Sequence, residues 1–211
     1  MTEDKKELII IGAGGQARVV IDAAEDTGFD VCGIVDIDYN GQNEKILNYP
    51  VLGDFSVLNE FNPEKTCLAI ALGDGQERAD YFHKLQKLGF RLPNIVHPTA
   101  IISKHVKIGK GVFINAGAII NAKADISDNT IINTGAIVDH EVNIGKHSQV
   151  GPGTKIGGRA VIGENTFIGL GVCVLDKIKI GDNVIVGAGS VLIKDVQSNV
   201  TVVGITGRII K

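Results

Sequence analysis

Branched aliphatic residues occupy every sixth position of the chain from Ile102 to Leu192, without a gap. A period of six fits neither the 3.6-residue period of a helix nor the simple alternation of a long strand. It predicts strands of two or three residues joined by tight turns and stacked into a solenoid, with the aliphatic side chains pointing inward. The frequent Gly and Asn residues between them supply the positive φ that such turns need. The periodic positions are Ile102, Ile108, Ile114, Ile120, Ile126, Ile132, Val138, Ile144, Val150, Ile156, Ile162, Ile168, Val174, Ile180, Val186 and Leu192.

The residues before this run follow a different pattern, in which apolar strands alternate with amphipathic helices. This alternation predicts a small Rossmann-like α/β domain with a parallel sheet. Pro93 and Pro98 bracket the junction, so we expect domains at residues 1–95 and 96–211. The predicted elements are strand Leu8–Ile11, a helix that ends near Gly28, strand Val31–Val35, a short helix Phe55–Phe61, strand Cys67–Leu72 and helix Arg78–Leu88.

The hexads resemble those of the left-handed parallel β-helix acyltransferases, in which three hexads make one triangular coil. The resemblance implies a stacking interval of eighteen residues and about five coils. The left hand also comes from the resemblance, because the usual crossover rule would give a right-handed connection.

Composition narrows the class of protein. A net charge of −3 and scattered basic residues without interleaved aromatics argue against nucleic-acid binding. The sequence contains no membrane-length apolar run and no signal peptide, so we expect a cytoplasmic protein without a membrane partner. The three cysteines, Cys32, Cys67 and Cys173, share no metal-like spacing and are expected to be buried, reduced thiols.

A glycine-rich loop follows the first predicted strand. Gly12, Gly14 and Ala17 form a G-x-G-x-x-A pattern between strand and helix, and Asp36 closes the next strand. Glycines let backbone approach a phosphate at a helix N-terminus, and the acid can bond a ribose or base edge. The pattern favours nucleotide binding, although such glycines also serve plain tight turns. NAD chemistry is disfavoured, because the segment has room for only one mononucleotide-binding half.

His140 is the candidate general base. It lies two residues after the inward Val138, at a turn, where a side chain faces outward. Most single histidines on a β surface are merely solvated, but Glu141 could hold this imidazole and increase its basicity. One coil further on, Gly158 would place a backbone N–H roughly 4.8 Å along the same edge. A base and an oxyanion donor would then be neighbours.

Metal binding is the competing use of the solenoid histidines. A site resembling that of γ-class carbonic anhydrases would need His105, His140 and His147. His140 and His147 differ by seven residues, so they occupy different offsets from the inward aliphatics. We therefore predict no metal.

The whole chain resembles the bacterial sugar acyltransferases of the sialic acid O-acetyltransferase and UDP-amino-sugar N-acetyltransferase group. This resemblance implies a homotrimer with acetyl-CoA between adjacent subunits, and a nucleotide sugar that is held on the N-terminal domain and reaches the base. The residues that carry it are Ile11-Gly12-Ala13-Gly14-Gly15-Gln16, Val96-His97-Pro98-Thr99-Ala100, Asn133-Thr134-Gly135-Ala136-Ile137-Val138-Asp139-His140-Glu141 and Val202-Val203-Gly204.

The resemblance also implies roles for particular residues. His140 is the general base, Glu141 its partner and Gly158 the amide that faces the thioester oxygen, while Leu170 and Ala188 lie along the CoA. Many relatives have a second histidine near the CoA where this chain has Gln149, which can hydrogen-bond but cannot carry charge. The residues that match the nucleotide pocket are Gly12, Gly14, Gly15, Gln16, Asp36, Ile37 and Gly73.

These observations predict an acetyl-CoA-dependent N-acetyltransferase that acts on a nucleotide-linked 4-amino-dideoxy sugar in bacterial surface-glycan synthesis. O-acetylation of a sialic-acid-like sugar by the same base is the nearest alternative. A non-catalytic trimeric binding scaffold is the alternative of a different class.

Overall fold

The computed structural model describes residues 6–41 and 44–210 of the chain. The chain forms two compact units, residues 1–98 and 99–211. The division therefore falls three residues after the predicted domain boundary.

The first unit is a five-stranded α/β sheet with strand order β3-β4-β2-β1-β5. The central strand β1 pairs in parallel with β2 on one side and with β5 on the other. Only the β3–β4 pair is antiparallel. Its elements are β1 (Lys6–Ile11), α1 (Gly15–Glu25), β2 (Phe29–Val35), β3 (Lys45–Ile46), β4 (Tyr49–Gly53), a 3-10 helix (Phe55–Glu60), β5 (Thr66–Ile70), α2 (Gly75–Lys87) and β6 (Ile95–Val96).

The core of this unit lies between the sheet and its helices. Residues 8–11 of β1 are completely buried, which explains why the sequence shows a continuous apolar run there instead of alternation. Ile9 and Ile11 pack with Phe82 and Leu85 of α2 in one cluster.

The observed elements of the first unit differ from the predicted ones by one to three residues at several ends, and three differences have a clear local cause. The helix predicted from Arg78 begins at Gly75, because the Asp74 carboxylate caps it by accepting from the Glu77 N–H at 2.8 Å. The short helix after β4 is a 3-10 helix, similarly capped by Asp54. The hairpin β3–β4 was not predicted, since its two strands are short and Pro50 interrupts the apolar pattern.

The second unit begins with sixteen two-residue strands, and the predicted periodic aliphatic is the second residue of every one. They are β7 (Ile101–Ile102), β8 (Lys107–Ile108), β9 (Phe113–Ile114), β10 (Ile119–Ile120), β11 (Asp125–Ile126), β12 (Ile131–Ile132), β13 (Ile137–Val138), β14 (Asn143–Ile144), β15 (Gln149–Val150), β16 (Lys155–Ile156), β17 (Val161–Ile162), β18 (Phe167–Ile168), β19 (Cys173–Val174), β20 (Lys179–Ile180), β21 (Ile185–Val186) and β22 (Val191–Leu192). Strands β23 (Thr201–Val203) and β24 (Arg208–Ile209) follow.

These strands stack into the three faces of a left-handed parallel β-helix, as predicted. Partners in a face are eighteen residues apart, as in Ile119 with Ile137. Face 1 contains β7, β10, β13, β16, β19 and β22, and face 2 contains β8, β11, β14, β17 and β20. Face 3 contains β9, β12, β15, β18 and β21, continued by β23 and β24.

The turns between faces stack into three edges, each named here after one of its residues. The His140 edge follows face 1, the Asn129 edge follows face 2 and the Leu170 edge follows face 3. In most of these turns the third residue has positive φ, as in Glu141 at 59°, Asn129 at 56° and Gly171 at 63°. The second residue precedes this left-handed position and points away from the inward aliphatics.

The three cysteines are free thiols. Cys67 is buried as predicted, whereas Cys32 and Cys173 are only half-buried because both lie on strands with partly open outer surfaces. Among residues 6–41 and 44–210, no helix is long and apolar enough to cross a bilayer.

Candidate active site

His140 is the second residue of the turn that follows β13, as the hexad register predicts. Half of its side-chain surface is open, at 50% exposure. The main-chain carbonyl of His140 accepts from the N–H of Arg159 at 2.9 Å, which ties the turn to the next coil. The imidazole therefore projects from a rigid backbone into accessible space, as a proton acceptor requires.

The carboxylate nearest to the imidazole is Asp139 and not the predicted Glu141. Oδ1 of Asp139 lies 3.3 Å from Nδ1 of His140. Glu141 instead pairs through Oε2 with Nε of Arg159 at 2.9 Å, one coil away. Glu141 thus engages Arg159, and the structure shows no pairing of Glu141 with the His140 ring among the described residues.

The charges along the His140 edge perturb both carboxyl groups. The pKa of Glu141 lies below its usual value, first because of the hydrogen bond from Arg159. The pKa of Asp139 is also lowered, first by the hydrogen bond from the Asn121 amide. Both side chains are therefore carboxylates at neutral pH.

Gly158 stacks directly beside the His140 ring. A Cβ built on Gly158 would lie 2.5 Å from Nδ1 and 3.0 Å from Nε2 of His140, and it would overlap Cε1. Only glycine leaves room for the imidazole in this position. Gly158 is buried, and its N–H donates to no acceptor in the part of the chain that the structure describes. The edge therefore places an amide donor without a protein partner next to the imidazole.

Leu170 and Ala188 lie on a different edge. The N–H of Gly189 donates to the carbonyl of Leu170 at 2.8 Å, which stacks the two turns one coil apart. Leu170 is 56% exposed and Ala188 is also exposed. Gln149 is on face 3, directly before this edge, where it pairs with Phe167. Its Oε1 is buried and has no hydrogen-bond partner among the described residues.

The predicted catalytic and CoA-contacting residues therefore belong to two edges of the same solenoid. His140 and Gly158 follow face 1, whereas Leu170 and Ala188 follow face 3. The predicted catalytic residues and the predicted CoA-contacting residues are therefore not neighbours along one edge.

In the first unit, the loops after β1 and β5 meet at the carboxyl ends of the sheet. The N–H of Ala71 donates to the carbonyl of Ile11, and a Cβ on Gly12 would press on Leu72 at 2.8 Å. Gly12 has a φ of 104°, so both its backbone and its close contact require glycine. These loops flank the point where the strand order reverses, which is where open α/β sheets bind ligands.

Gly14, Gly15 and Gly73 face open space at this end of the sheet. A Cβ on any of them would meet no atom within 4 Å, and none has a left-handed φ. Gly14 caps α1 without a side-chain hydrogen bond, and the first turn of α1 has no acid. The fold itself does not require glycine here, whereas a phosphate approaching the unpaired N–H groups would.

Asp36, Ile37 and Gln16 are half-buried around the same end of the sheet. The N–H of Asp36 donates to the carbonyl of Gly53 at 3.0 Å, so its backbone is held by the sheet. Nε2 of Gln16 is buried and has no hydrogen-bond partner among the described residues.

Arg78 was missed by the sequence analysis. It is 1% exposed, and its Nη1 donates to the carbonyls of Leu72, Gly73 and Asp74 at 3.2, 3.2 and 3.3 Å. Burial lowers the pKa of Arg78 to about 10, so the group remains charged at neutral pH. Through these three carbonyls, the guanidinium holds the loop after β5 in place. The α2 periodicity, which puts Arg78 beside Ala79 and Phe82 on the buried face, was the available signal.

The histidines of the solenoid are dispersed. His147 is buried on the Asn129 edge, where its Nδ1 lies 2.8 Å from Nδ2 of Asn129. His105 lies on the His140 edge in a lower coil. Among residues 6–41 and 44–210, no group of three His, Cys, Asp or Glu side chains is placed to hold a metal ion.

Comparison with known proteins matches both units. The family described as PglD N-terminal domain matches residues 7–85, and the family described as bacterial transferase hexapeptide (six repeats) matches residues 159–194. The chain is similar to PerB, a GDP-perosamine N-acetyltransferase from Caulobacter crescentus solved with CoA and GDP-perosamine. The two are 37% identical over 97% of each chain, with a TM-score of 0.92.

A second similar structure is the acetyltransferase domain of PglB from Neisseria gonorrhoeae. It is 31% identical over 98% of this chain and 100% of that one, with a TM-score of 0.91 in its complex with acetyl coenzyme A. The comparison with curated protein sequences gives no match.

A left-handed β-helix with an exposed histidine and an adjacent unused amide defines the class of hexapeptide-repeat acyltransferases. The coverage and the sequence identity of the matches to PerB and PglB assign the chain to one family within this class. The chain belongs to the family of bacterial sugar acetyltransferases that join a PglD-type N-terminal domain to a hexapeptide-repeat solenoid. The predicted family, fold class and enzyme class are thereby confirmed.

Proposed function

We propose that this protein transfers an acetyl group from acetyl-CoA to the amine of a nucleotide-linked amino sugar. The observation that carries the proposal is the contact between the His140 imidazole and Gly158, which puts a base beside a backbone donor with no other partner. A 4-amino-dideoxy sugar of bacterial surface glycans is the acceptor that the family membership favours. Both substrates are cytoplasmic metabolites, so we propose a cytoplasmic enzyme.

The chemistry follows from the geometry of the His140 edge. The amine lone pair attacks the thioester carbonyl carbon, forming the C–N bond, while Nε2 of His140 accepts the amine proton. The Gly158 N–H stabilises the negative charge that develops on the carbonyl oxygen. The C–S bond then breaks, and the CoA thiolate leaves and can take the proton from His140.

The separation of the two edges supports a homotrimer. Leu170 and Ala188 can contribute to a CoA cleft beside His140 only if the Leu170 edge of one subunit meets the His140 edge of another. A head-to-tail contact of this kind closes into a ring under cyclic symmetry. Light scattering should give a mass near three times 22.3 kDa, and an active monomer would contradict the shared site.

The first unit supports a nucleotide-linked acceptor instead of a free sugar. Gly14, Gly15 and Gly73 keep one end of the sheet open, although the fold itself does not require glycine at these positions. Phosphate groups are the ligands that such a loop and helix start accommodate. O-acetylation of a free sialic-acid-like sugar would leave this opening without a ligand to fill it.

Mass-shift screening of a nucleotide-amino-sugar panel with acetyl-CoA tests the proposal. Gly14→Val is the discriminating variant, because its side chain fits the free protein but would occupy the space of the phosphate. We expect at least a tenfold higher KM for the nucleotide sugar, with thermal stabilisation by CoA unchanged. If Gly14→Val acetylates a free sugar normally and no nucleotide binds, the O-acetyl alternative is correct. A wild-type protein that binds ligands without turnover would point to the scaffold alternative.

A further inference from the structure

We propose that Asp139 is the residue that positions His140 for proton transfer, and that Asn121 from the preceding coil holds the Asp139 carboxylate in place. The inference rests on the proposed function, because it presumes that His140 is the base. It replaces the predicted role of Glu141 with that of the residue on the other side of the histidine.

Three nitrogen atoms converge on one oxygen of Asp139. Oδ1 accepts from the His140 main-chain N–H at 2.7 Å and from Nδ2 of Asn121 at 2.9 Å. Nδ1 of His140 lies 3.3 Å from the same oxygen. Because two fixed donors hold the oxygen, its position beside the ring does not depend on the imidazole itself.

A carboxylate at Nδ1 has two consequences for the ring. It favours the tautomer with the proton on Nδ1, which leaves the lone pair of Nε2 free to accept the amine proton. It also stabilises the imidazolium that forms when the proton arrives. The lowered pKa of Asp139, caused first by the Asn121 hydrogen bond, keeps the group ionised at neutral pH.

Glu141 is engaged elsewhere. Its Oε2 is 2.9 Å from Nε of Arg159, and that interaction is the largest cause of its lowered pKa. Arg159 therefore largely neutralises the negative charge of Glu141, so that this charge acts only weakly on the imidazole.

The backbone turn does not by itself require a carboxylate at position 139. Three other turns place asparagine at the same position, Asn115, Asn121 and Asn133, and in two of them its side chain closes the turn. Oδ1 of Asn115 accepts from the Ala116 N–H at 2.7 Å, and Oδ1 of Asn133 accepts from the Thr134 N–H at 2.8 Å. An amide oxygen is enough to close the turn, so Asp139→Asn should preserve the fold and remove only the charge.

The decisive experiment is an NMR titration of the His140 ring in the ¹³C-histidine-labelled protein, with His140→Ala used to assign the resonance. In Asp139→Asn the NMR titration of the ring should move to lower pH, because the ring loses a neighbouring anion. Glu141→Gln should move it by less than half as much. The other charged groups along this edge, Lys123, Arg159 and Asp176, are the same in all samples.

The kinetic readout is the kcat–pH profile of the same variants. In Asp139→Asn the acidic limb should move to lower pH, and the plateau should fall about tenfold because the base is weaker and less well oriented. KM for acetyl-CoA should stay within about twofold of the wild-type value.

Two results would overturn the inference. If Glu141→Gln shifts the His140 titration as much as Asp139→Asn does, Glu141 is the positioning residue. If Asp139→Asn lowers kcat with no shift in the titration, Asp139 is only a turn residue. The titration needs no substrate, so it remains decisive even if the wild-type protein acetylates none of the sugars offered.

Discussion

The His140 edge and the Asn129 edge are built from the same left-handed turn, yet they present opposite kinds of side chain. Where the third turn residue of the His140 edge has positive φ, it is charged and lies at the surface: Lys123, Glu141, Arg159 and Lys177. The non-glycine residues at the same position of the Asn129 edge are Asn129, His147, Asn165 and Asn183, and the first two are buried. His140 and His147 therefore lie on edges of different character.

The two histidines differ both in the edge that they occupy and in their position within the turn. His140 is the second turn residue and half of its side chain is exposed, whereas His147 is the third and is 6% exposed. At the third position, the side chain stacks on the equivalent residue of the next coil, as His147 does with Asn129. The His140 edge therefore carries a histidine available for chemistry, whereas the histidine of the Asn129 edge forms an internal hydrogen bond.

The largest effect that this comparison predicts is the loss of His140. His140→Ala should lower kcat by about two to four orders of magnitude, as expected for a positioned general base. CoA binding, measured by calorimetry, should be nearly unchanged, because the ring is not part of the Leu170 edge. Activity within threefold of the wild type would remove His140 from the mechanism.

Gly158→Ala should have the next largest effect. The new methyl group would occupy the space of the imidazole, so the ring must turn away and kcat should fall about ten- to a hundredfold. Circular dichroism should show an intact fold, since the side chain can move without the backbone.

The control for Gly158→Ala is the same substitution made in His140→Ala. With the ring already absent, the methyl group should add little further loss. A full additional loss would mean that Gly158 acts independently of the imidazole.

Changes at His147 should affect stability and not chemistry. His147→Ala loses a buried hydrogen bond and puts a less suitable residue at φ 61°, so we expect a loss of about 1–3 kcal/mol in denaturant unfolding. His147→Asn places the same residue type at position 147 as at Asn165 and Asn183. Its free energy of unfolding should remain within about 0.5 kcal/mol of the wild-type value.

For both His147 variants, kcat should stay within about twofold of the wild-type value. A large fall in kcat for His147→Asn at unchanged stability would show that the Asn129 edge also takes part in the reaction, which would break the contrast between the two edges.

The sequence by itself determined the architecture of the second unit. The uninterrupted period of six predicted short strands stacked into a solenoid, and the resemblance to the β-helix acyltransferases added the interval of eighteen residues that the structure shows. The same register put His140 at an exposed turn and Gly158 beside it. The glycine-rich loop at one end of the sheet was also predicted from the sequence. Gly14 and Gly15 lie between a strand and a helix, where a backbone without side chains can approach a phosphate.

Only the tertiary structure decided which groups pair. Asp139 and Glu141 both adjoin His140 in sequence, and nothing in the repeat distinguishes them as partners of the ring. The decision comes from Asn121 and Arg159, each eighteen residues from the carboxylate that it engages. The α2 periodicity indicated that Arg78 is buried, but its partners in the loop after β5 are main-chain carbonyls that no side-chain pattern reveals. Periodicity fixes where a backbone goes, whereas hydrogen bonds between coils and loops depend on side-chain directions that exist only once the chain has folded.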